Sequence, residues 1–292
     1  MIRSMLFAPG NHLLRIQKAL ALGADAVVLD LEDACPESEK ISARESVLAA
    51  LREPRNCLGY VRINSLETTY AFGDIQAVVQ PGVDGLMLSK AESAEQLRRV
   101  DWAISQWERE CGMPEGGFDL IPLLETALGF ANIFEIAAAC PRVKRLAIGS
   151  ADLTYDLGLD HTAGEEEILY YRGLAVHASR TARIEAPIDA AWLRLNDNEG
   201  YQNAVSRTRS QGFQGRLCIH PNQVALANES MRPTKQAVDQ AHRIDDAFRQ
   251  AESQGIAAIQ VDGLLVDHPI ALNARTLLAL VEQIDARELL KR

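Results

Sequence analysis

A series of short apolar runs in this chain ends in side chains that can do chemistry. LDLEDA carries Asp30, Glu32 and Asp33, YVRIN carries Arg62 and Asn64, and GLMLSK closes on Lys90. Further on, LIPLLE closes on Glu125, AIGSAD supplies Ser150 and Asp152, APIDA holds Asp189 and RLCIH ends in His220. Glu125 and Asp152 are the candidate metal ligands. Two carboxylates on adjacent strands suit a hard cation such as Mg²⁺, which keeps waters and accepts substrate oxygens. Softer transition metals are disfavoured, because no histidines cluster with these residues. The competing structural roles are a helix cap for Glu125 and an ion pair with Arg62 for Asp152.

Arg62 carries two readings. Its fork could clamp a substrate carboxylate and a developing enolate oxygen, or it could simply neutralise Asp30 or Glu32. Three acids in four residues at a strand end seldom serve a core, since unpaired buried carboxylates are costly. Asp30 and Glu32 share a face by the strand period. With Asp33 they are candidates to orient Arg62 and the waters of a bound metal, the lesser alternative being a solvated acidic loop for Asp33 and, less so, for Glu32. Lys90 could be an amine nucleophile, but an ion pair with a neighbouring carboxylate is preferred. His220, ahead of Pro221, either positions a ligand or is a satisfied structural histidine.

For these residues to meet, their elements must converge. Strand-like runs at Ser4–Ala8, Ala26–Glu32, Gly59–Asn64, Gly85–Lys90, Asp119–Glu125, Arg145–Ser150, Ile184–Ala190 and Gly215–His220 alternate with helical patterns. Helices are expected after Pro9-Gly10-Asn11 as far as Gly23, around Ser42–Leu51, near Ile75–Val79 and at Ser93–Cys111. Others are expected at Ala131–Cys140, Glu165–Thr181, Tyr201–Gln211 and Asn222–Asn228. Such β-then-α units with short connections imply parallel strands and crossover helices. A (β/α)8 TIM barrel closes at eight of them, with its chemistry at the carboxyl ends of the strands. The barrel is expected over residues 1–230. Residues 231–292 read as an extension and not as an independent domain. It comprises a charged helix at Thr234–Gln254, a hairpin over Ile256–Asp267 turning at Asp262-Gly263, and a helix at Pro269–Ile284.

Composition excludes several classes. The chain of 292 residues is 47% hydrophobic and 24% charged, which suits a soluble globular protein. A net charge of −10 disfavours nucleic acids and anionic membranes as partners, and 5% aromatic content offers little to single strands. No stretch reaches the roughly 18 apolar residues of a membrane helix. Five scattered cysteines without a CxxC pair suit buried thiols in a reducing cytoplasm. Phosphate-loop, dinucleotide, zincin and nucleophile-elbow motifs are absent.

Taken in order, RSMLFAPGN, GADAVVLDLEDA, YVRINSL, GLMLSKAES, LIPLLETALG, AIGSADLTYDLG, IHPNQV and VDGLLVDHP resemble the citrate lyase beta-subunit-like family of the HpcH/HpaI aldolase superfamily. The resemblance spans nearly the whole chain and implies a Mg²⁺-dependent (β/α)8 barrel acting on acyl-CoA thioesters. It makes Glu125 and Asp152 the metal ligands, Arg62 the substrate-carboxylate arginine, and Arg62 and Glu125 together the substrate-binding residues. His220 and Pro221 become contacts near the CoA adenine. Asp267 matches an aspartate that related lyases present to a neighbouring subunit's site. The implied reaction is reversible cleavage of a carboxylated 3-hydroxyacyl-CoA (citryl-, citramalyl- or malyl-CoA type) to acetyl-CoA and a 2-oxo acid. In it Asp267 would act as base and Arg62 would stabilise the enolate. The alternatives are a CoA-independent class II pyruvate-type aldolase and a subunit of a multi-protein citrate lyase complex. The apolar hairpin, too large to leave in water, is expected to cover a neighbour's mouth in a homotrimer or a multiple of it.

Overall fold

Alternate side chains from eight short strands fill the interior of a closed parallel barrel. The strands are β1 (Ser4–Pro9), β2 (Ala26–Asp30), β3 (Leu58–Ile63), β4 (Gly85–Leu88), β5 (Asp119–Leu124), β6 (Ala147–Ile148), β7 (Ile188–Asp189) and β8 (Gly215–Cys218). Each pairs with the next and β8 returns to β1, so that Met5 has Ala26 on one side and Leu217 on the other. Met5, Val28, Tyr60, Met87, Ile121 and Leu217 pack together inside, making the barrel a core and not a pore. This computed structural model describes residues 1–290. The chain divides into two compact units, Ile2–Met231 and the residues from Arg232 onward, the second including Met1.

The barrel's helices are α1 (Leu13–Ala21), α2 (Lys40–Arg52), α3 (Ala71–Val78), α4 (Ala94–Glu110), α5 (Ala127–Ala131), α6 (Ile133–Ala137), α7 (Ser150–Leu157), α8 (Leu169–Thr181), α9 (Asn198–Ser210) and α10 (Pro221–Ser230). α4 starts on a reciprocal cap. Ser93 Oγ accepts from Gln96 N at 3.2 Å, and Gln96 Oε1 accepts from Ser93 N at 3.1 Å.

Several elements depart from the sequence expectation. β6, expected over Arg145–Ser150, is reduced to Ala147–Ile148 because Gly149 and Ser150 already open the next helix. Four others depart for local reasons. The helix expected at Ala131–Cys140 is instead α5 and α6, divided at Asn132, whose side chain donates to Glu92 O at 2.8 Å. α7 was not expected. It springs directly from the exit of β6 and stops at Gly158, a left-handed residue with φ +65°. The helix expected from Glu165 begins as a 3₁₀ turn at Glu166–Ile168, behind Glu165 at φ +56°. The strand expected over Ile184–Ala190 shrinks to two residues, because Arg183 takes φ +58° and Pro187 has no N–H to pair.

The second unit contains α11 (Lys235–Ser253), β9 (Ala258–Val261), β10 (Leu264–Asp267) and α12 (His268–Leu290). β9 and β10 form an antiparallel hairpin turning at Asp262 and Gly263, with φ of +49° and +82°. Two positive φ values in a two-residue turn explain the Asp-Gly pair. Ile244, Phe248, Val266 and Ala271 form its core, and Arg275 ties α12 to Asp245 of α11 at 2.6 Å. Among the described residues no helix is long and apolar enough to cross a membrane.

Candidate active site

The exits of β2 to β5 gather Asp30, Glu32, Arg62, Lys90 and Glu125. Arg62 ends an inward-facing run on β3 and is 9% exposed. Its Nε and Nη2 donate to the two oxygens of Asp30 at 2.7 and 2.5 Å, and its ring-facing side lies 5.1 Å from the centre of Phe7. Nη1 is left to longer pairs, 2.9 Å from Glu32 and 3.5 Å from the exposed Asp33. Asp30 also accepts from the backbone N–H groups of Glu32 and Ala34, at 2.9 and 3.0 Å. Burial opposes its charge, but Arg62 and these two donors outweigh burial and hold its carboxyl below the usual range. The guanidinium is thus fixed along one edge.

Lys90 follows β4 in a left-handed conformation, φ +50°, which is sparsely populated for a residue with a side chain. Its Nζ donates to Glu32 Oε1 at 2.6 Å and its backbone N–H to Glu125 Oε1 at 2.8 Å. Burial works against its charge, yet Glu32 prevails and holds the amine above its ordinary range. An amine kept protonated is a poor nucleophile.

Glu125, 1% exposed, closes the apolar strand β5. It does not cap the next helix. Thr126 does, its Oγ1 accepting from Gly129 N at 3.1 Å. Glu125 Oε2 packs against Gly149 so closely that any Cβ there would collide with it. Asp152 stands half-buried in the first turn of α7, just past that glycine. Burial first, then the charges of Glu32 and Asp152, pushes the Glu125 carboxyl up to about 8 against the pull of Arg62. Glu32 is also raised, by burial and by Asp33.

Five carboxylates (Asp30, Glu32, Asp33, Glu125 and Asp152) therefore gather around Arg62 and Lys90, with the Lys40 ammonium on the Glu32 backbone carbonyl at 2.6 Å. An all-oxygen, net-negative and partly buried donor set fits a hard divalent cation. Among the described residues no group of three or more His, Cys, Asp or Glu is gathered to hold a metal. A two-carboxylate site that leaves positions for water and substrate agrees with that.

The remaining sequence candidates lie elsewhere. Asp189 does not join this cluster. It sits fully buried between Arg172 Nε at 2.8 Å and Arg216 Nη1 at 3.3 Å, with Glu165 bound to both arginines. These two arginines had no sequence signal beyond being charged residues in amphipathic elements. His220 caps α10, its Nδ1 accepting from Asn222 N at 3.3 Å, with Pro221 at the first helical position. Both line a cavity of about 290 Å³ whose wall includes Phe7, Pro9, Arg15 and Lys18. Asp267 belongs to the second unit, where its Oδ1 accepts from Ile270 N at 3.2 Å at the start of α12.

Residues 3–221 match the HpcH/HpaI aldolase/citrate lyase family. The chain is 34% identical over 280 residues to the citrate lyase subunit beta of Leuconostoc mesenteroides subsp. cremoris, covering 95% of this chain and 92% of that one. It is 32% identical to an L-malyl-CoA/beta-methylmalyl-CoA lyase of Cereibacter sphaeroides, covering 97% and 96%. Among solved structures, protein CitE from Mycobacterium tuberculosis in complex with magnesium, acetoacetate and coenzyme A superposes with a TM-score of 0.79. Its identity is 29%, over 96% of this chain and 97% of that one. With a shared barrel, near-complete coverage and a family match over most of its length, the chain belongs to the HpcH/HpaI aldolase/citrate lyase family.

Proposed function

We propose that the chain is a Mg²⁺-dependent carbon–carbon lyase acting on a carboxylated 3-hydroxyacyl-CoA of the citryl-, citramalyl- or malyl-CoA type. The observation that carries this reading is the net-negative cluster around Glu125, set beside an arginine whose orientation is fixed. Glu125 and Asp152 are the residues that would hold Mg²⁺, with Asp30, Glu32 and Asp33 behind them. When bound, the cation supplies Lewis-acid polarisation of a substrate oxygen and positive charge for the departing 2-oxo acid.

The chain's own groups account for the rest. Asp30 takes the Nε–Nη2 edge of Arg62, so the Nη1 end is the part assigned to the substrate carboxylate. A base removes the hydroxyl proton, the bond between the hydroxyl-bearing carbon and the thioester α-carbon breaks, and the electron pair passes into the thioester enolate. Protonation at that carbon gives acetyl-CoA. Arg62 is placed to stabilise the enolate charge. The 290 Å³ cavity, with an apolar wall and two basic side chains, supports His220 and Pro221 as contacts for the CoA end of the substrate. CoA in the M. tuberculosis CitE structure supports this as well.

Asp267 is assigned the role of base, offered to a neighbouring chain in a homotrimer or a multiple of it. Exposed Ile256, Leu264, Leu265 and Leu272 around the hairpin support burial against a partner. All five cysteines are free, which supports a reducing cytoplasm.

The test is a panel of hydroxyacyl-CoA thioesters offered to the purified chain with and without Mg²⁺, read by mass spectrometry. Cleavage to acetyl-CoA and a 2-oxo acid is expected. Cleavage of CoA-free hydroxy acids alone would assign a pyruvate-type aldolase, and activity only with partner subunits would assign a role within a citrate lyase complex. For the shared site, mixing Asp267→Asn with Arg62→Lys chains under subunit exchange should restore activity. A monomer by light scattering would overturn it.

A further inference from the structure

Lys90 holds both halves of this site with different atoms. Its backbone N–H, turned inward by a φ of +50°, donates to Glu125 Oε1 at 2.8 Å, whereas Glu125 Oε2 lies against Gly149 on the side of the β6 exit that leads to Asp152. The amide therefore decides which carboxylate oxygen faces the Asp152 side. Its ammonium meets Glu32 Oε1 at 2.6 Å, and the other oxygen of Glu32 lies 2.9 Å from Arg62 Nη1, the end of the fork that Asp30 leaves open. Lys90 lies outside the paired residues of β4. The ladder of β4 stops at Leu88, and Ala91 N already reaches Leu123 O at 3.2 Å. Strain kept at such a point is maintained by what it positions.

We propose that Lys90 is a positioning residue with two separable handles: a left-handed backbone amide that presents Glu125 to a divalent cation, and an ammonium that sets the Glu32–Arg62 pair for the substrate carboxylate. The inference rests on the site reading above. Its two handles can be tested apart, because side chains differ in tolerance of positive φ independently of charge. Lys90→Gly and Lys90→Asn adopt that conformation readily, Lys90→Ala less so and Lys90→Val least. All four lose the ammonium.

Mn²⁺ binding without substrate, followed by electron paramagnetic resonance and calorimetry, is expected to rank Gly and Asn above Ala and Ala above Val. The expected spread is about tenfold. All four should raise KM for the thioester about tenfold with a smaller change in kcat, and Lys90→Arg should restore KM. If Lys90→Val does not fold, the step from Gly to Ala carries the same test. Equal Mn²⁺ affinity across the folded neutral variants would overturn the amide handle, and an unchanged KM would overturn the ammonium handle. Wild-type protein that binds no Mn²⁺ sensitive to Glu125→Gln would instead bring down the site reading itself, and this inference with it.

Discussion

At the amino-terminal end of the barrel, Asp119 meets Arg145 at 2.8 Å, Lys144 at 2.5 Å and the Tyr60 hydroxyl at 2.9 Å. At the opposite end, Glu125 meets one backbone N–H and shares Arg62 with three other carboxylates. Both ends bury charged side chains. They differ in balance. Beside the amino-terminal end, Glu108 accepts from Arg142 at 2.7 and 2.5 Å and from two N–H groups, and its carboxyl is held below the usual range. Glu185 is likewise lowered, burial being outweighed by Arg145. At the mouth Glu125 and Glu32 are raised. Buried charge neutralised by its neighbours is architecture, whereas buried charge in excess of one sign marks a place for a ligand.

The largest test of that contrast falls at the mouth. Glu125→Gln should lose about 10³-fold or more in Mg²⁺-dependent turnover, since a metal's contribution is several kcal/mol. Its unfolding midpoint in metal-free buffer should hold or rise, because burial pushes this carboxyl up to about 8 and the amide removes the cost of protonating it on folding. Asp152→Asn should follow it in activity. Unchanged turnover in either folded variant would remove these residues from the metal site.

Arg142→Met inverts the pattern. It strands Glu108, so about 3–5 kcal/mol of stability should be lost in denaturant melts. The kcat of the folded protein should not change, and a fall in kcat at intact folding would blur the distinction between the two ends. Next in size is Arg62→Lys, expected to fold normally and lose about 2–4 kcal/mol of transition-state stabilisation as the planar fork disappears. Near-normal kinetics would leave Arg62 as a partner of Asp30 alone.

The barrel and its mouth were legible because each polar candidate stood at the end of an apolar run of strand length, and strand direction then carries those ends to one face. The hairpin was legible for a different reason: Asp262-Gly263 is a dipeptide with few other uses. What was hidden depended on distant acceptors or unusual backbone. Asn132 breaks its helix by bonding to Glu92 O, forty residues away in sequence. α7 was hidden because Ser150 completes an apolar run and also begins a helix. Lys90's left-handed turn had no signal, since lysine has no preference for it. Arg172 and Arg216 look like surface charge until the fold buries them beside Asp189.

The smallest expected effect is a matter of slope in pH. Burial tends to raise Glu108, but Arg142 and the N–H groups of Gly116 and Phe118 prevail, so its folded value lies below its unfolded one. Between those two values the unfolded chain binds more protons than the folded one, and stability rises with pH there. The contribution of Glu108 is thus complete above its unfolded value, about 4.3, and is lost as pH falls through the folded value. Wild-type protein should lose stability on acidification below about pH 4.5, and Glu108→Gln, though weaker at neutral pH, should lose it along a shallower slope. Unfolding midpoints in denaturant across that range give the comparison directly. Parallel slopes would mean that the Arg142 pair holds Glu108 no more tightly folded than unfolded. The balance assigned to the amino-terminal end would then have to come from Asp119 and Glu185 alone.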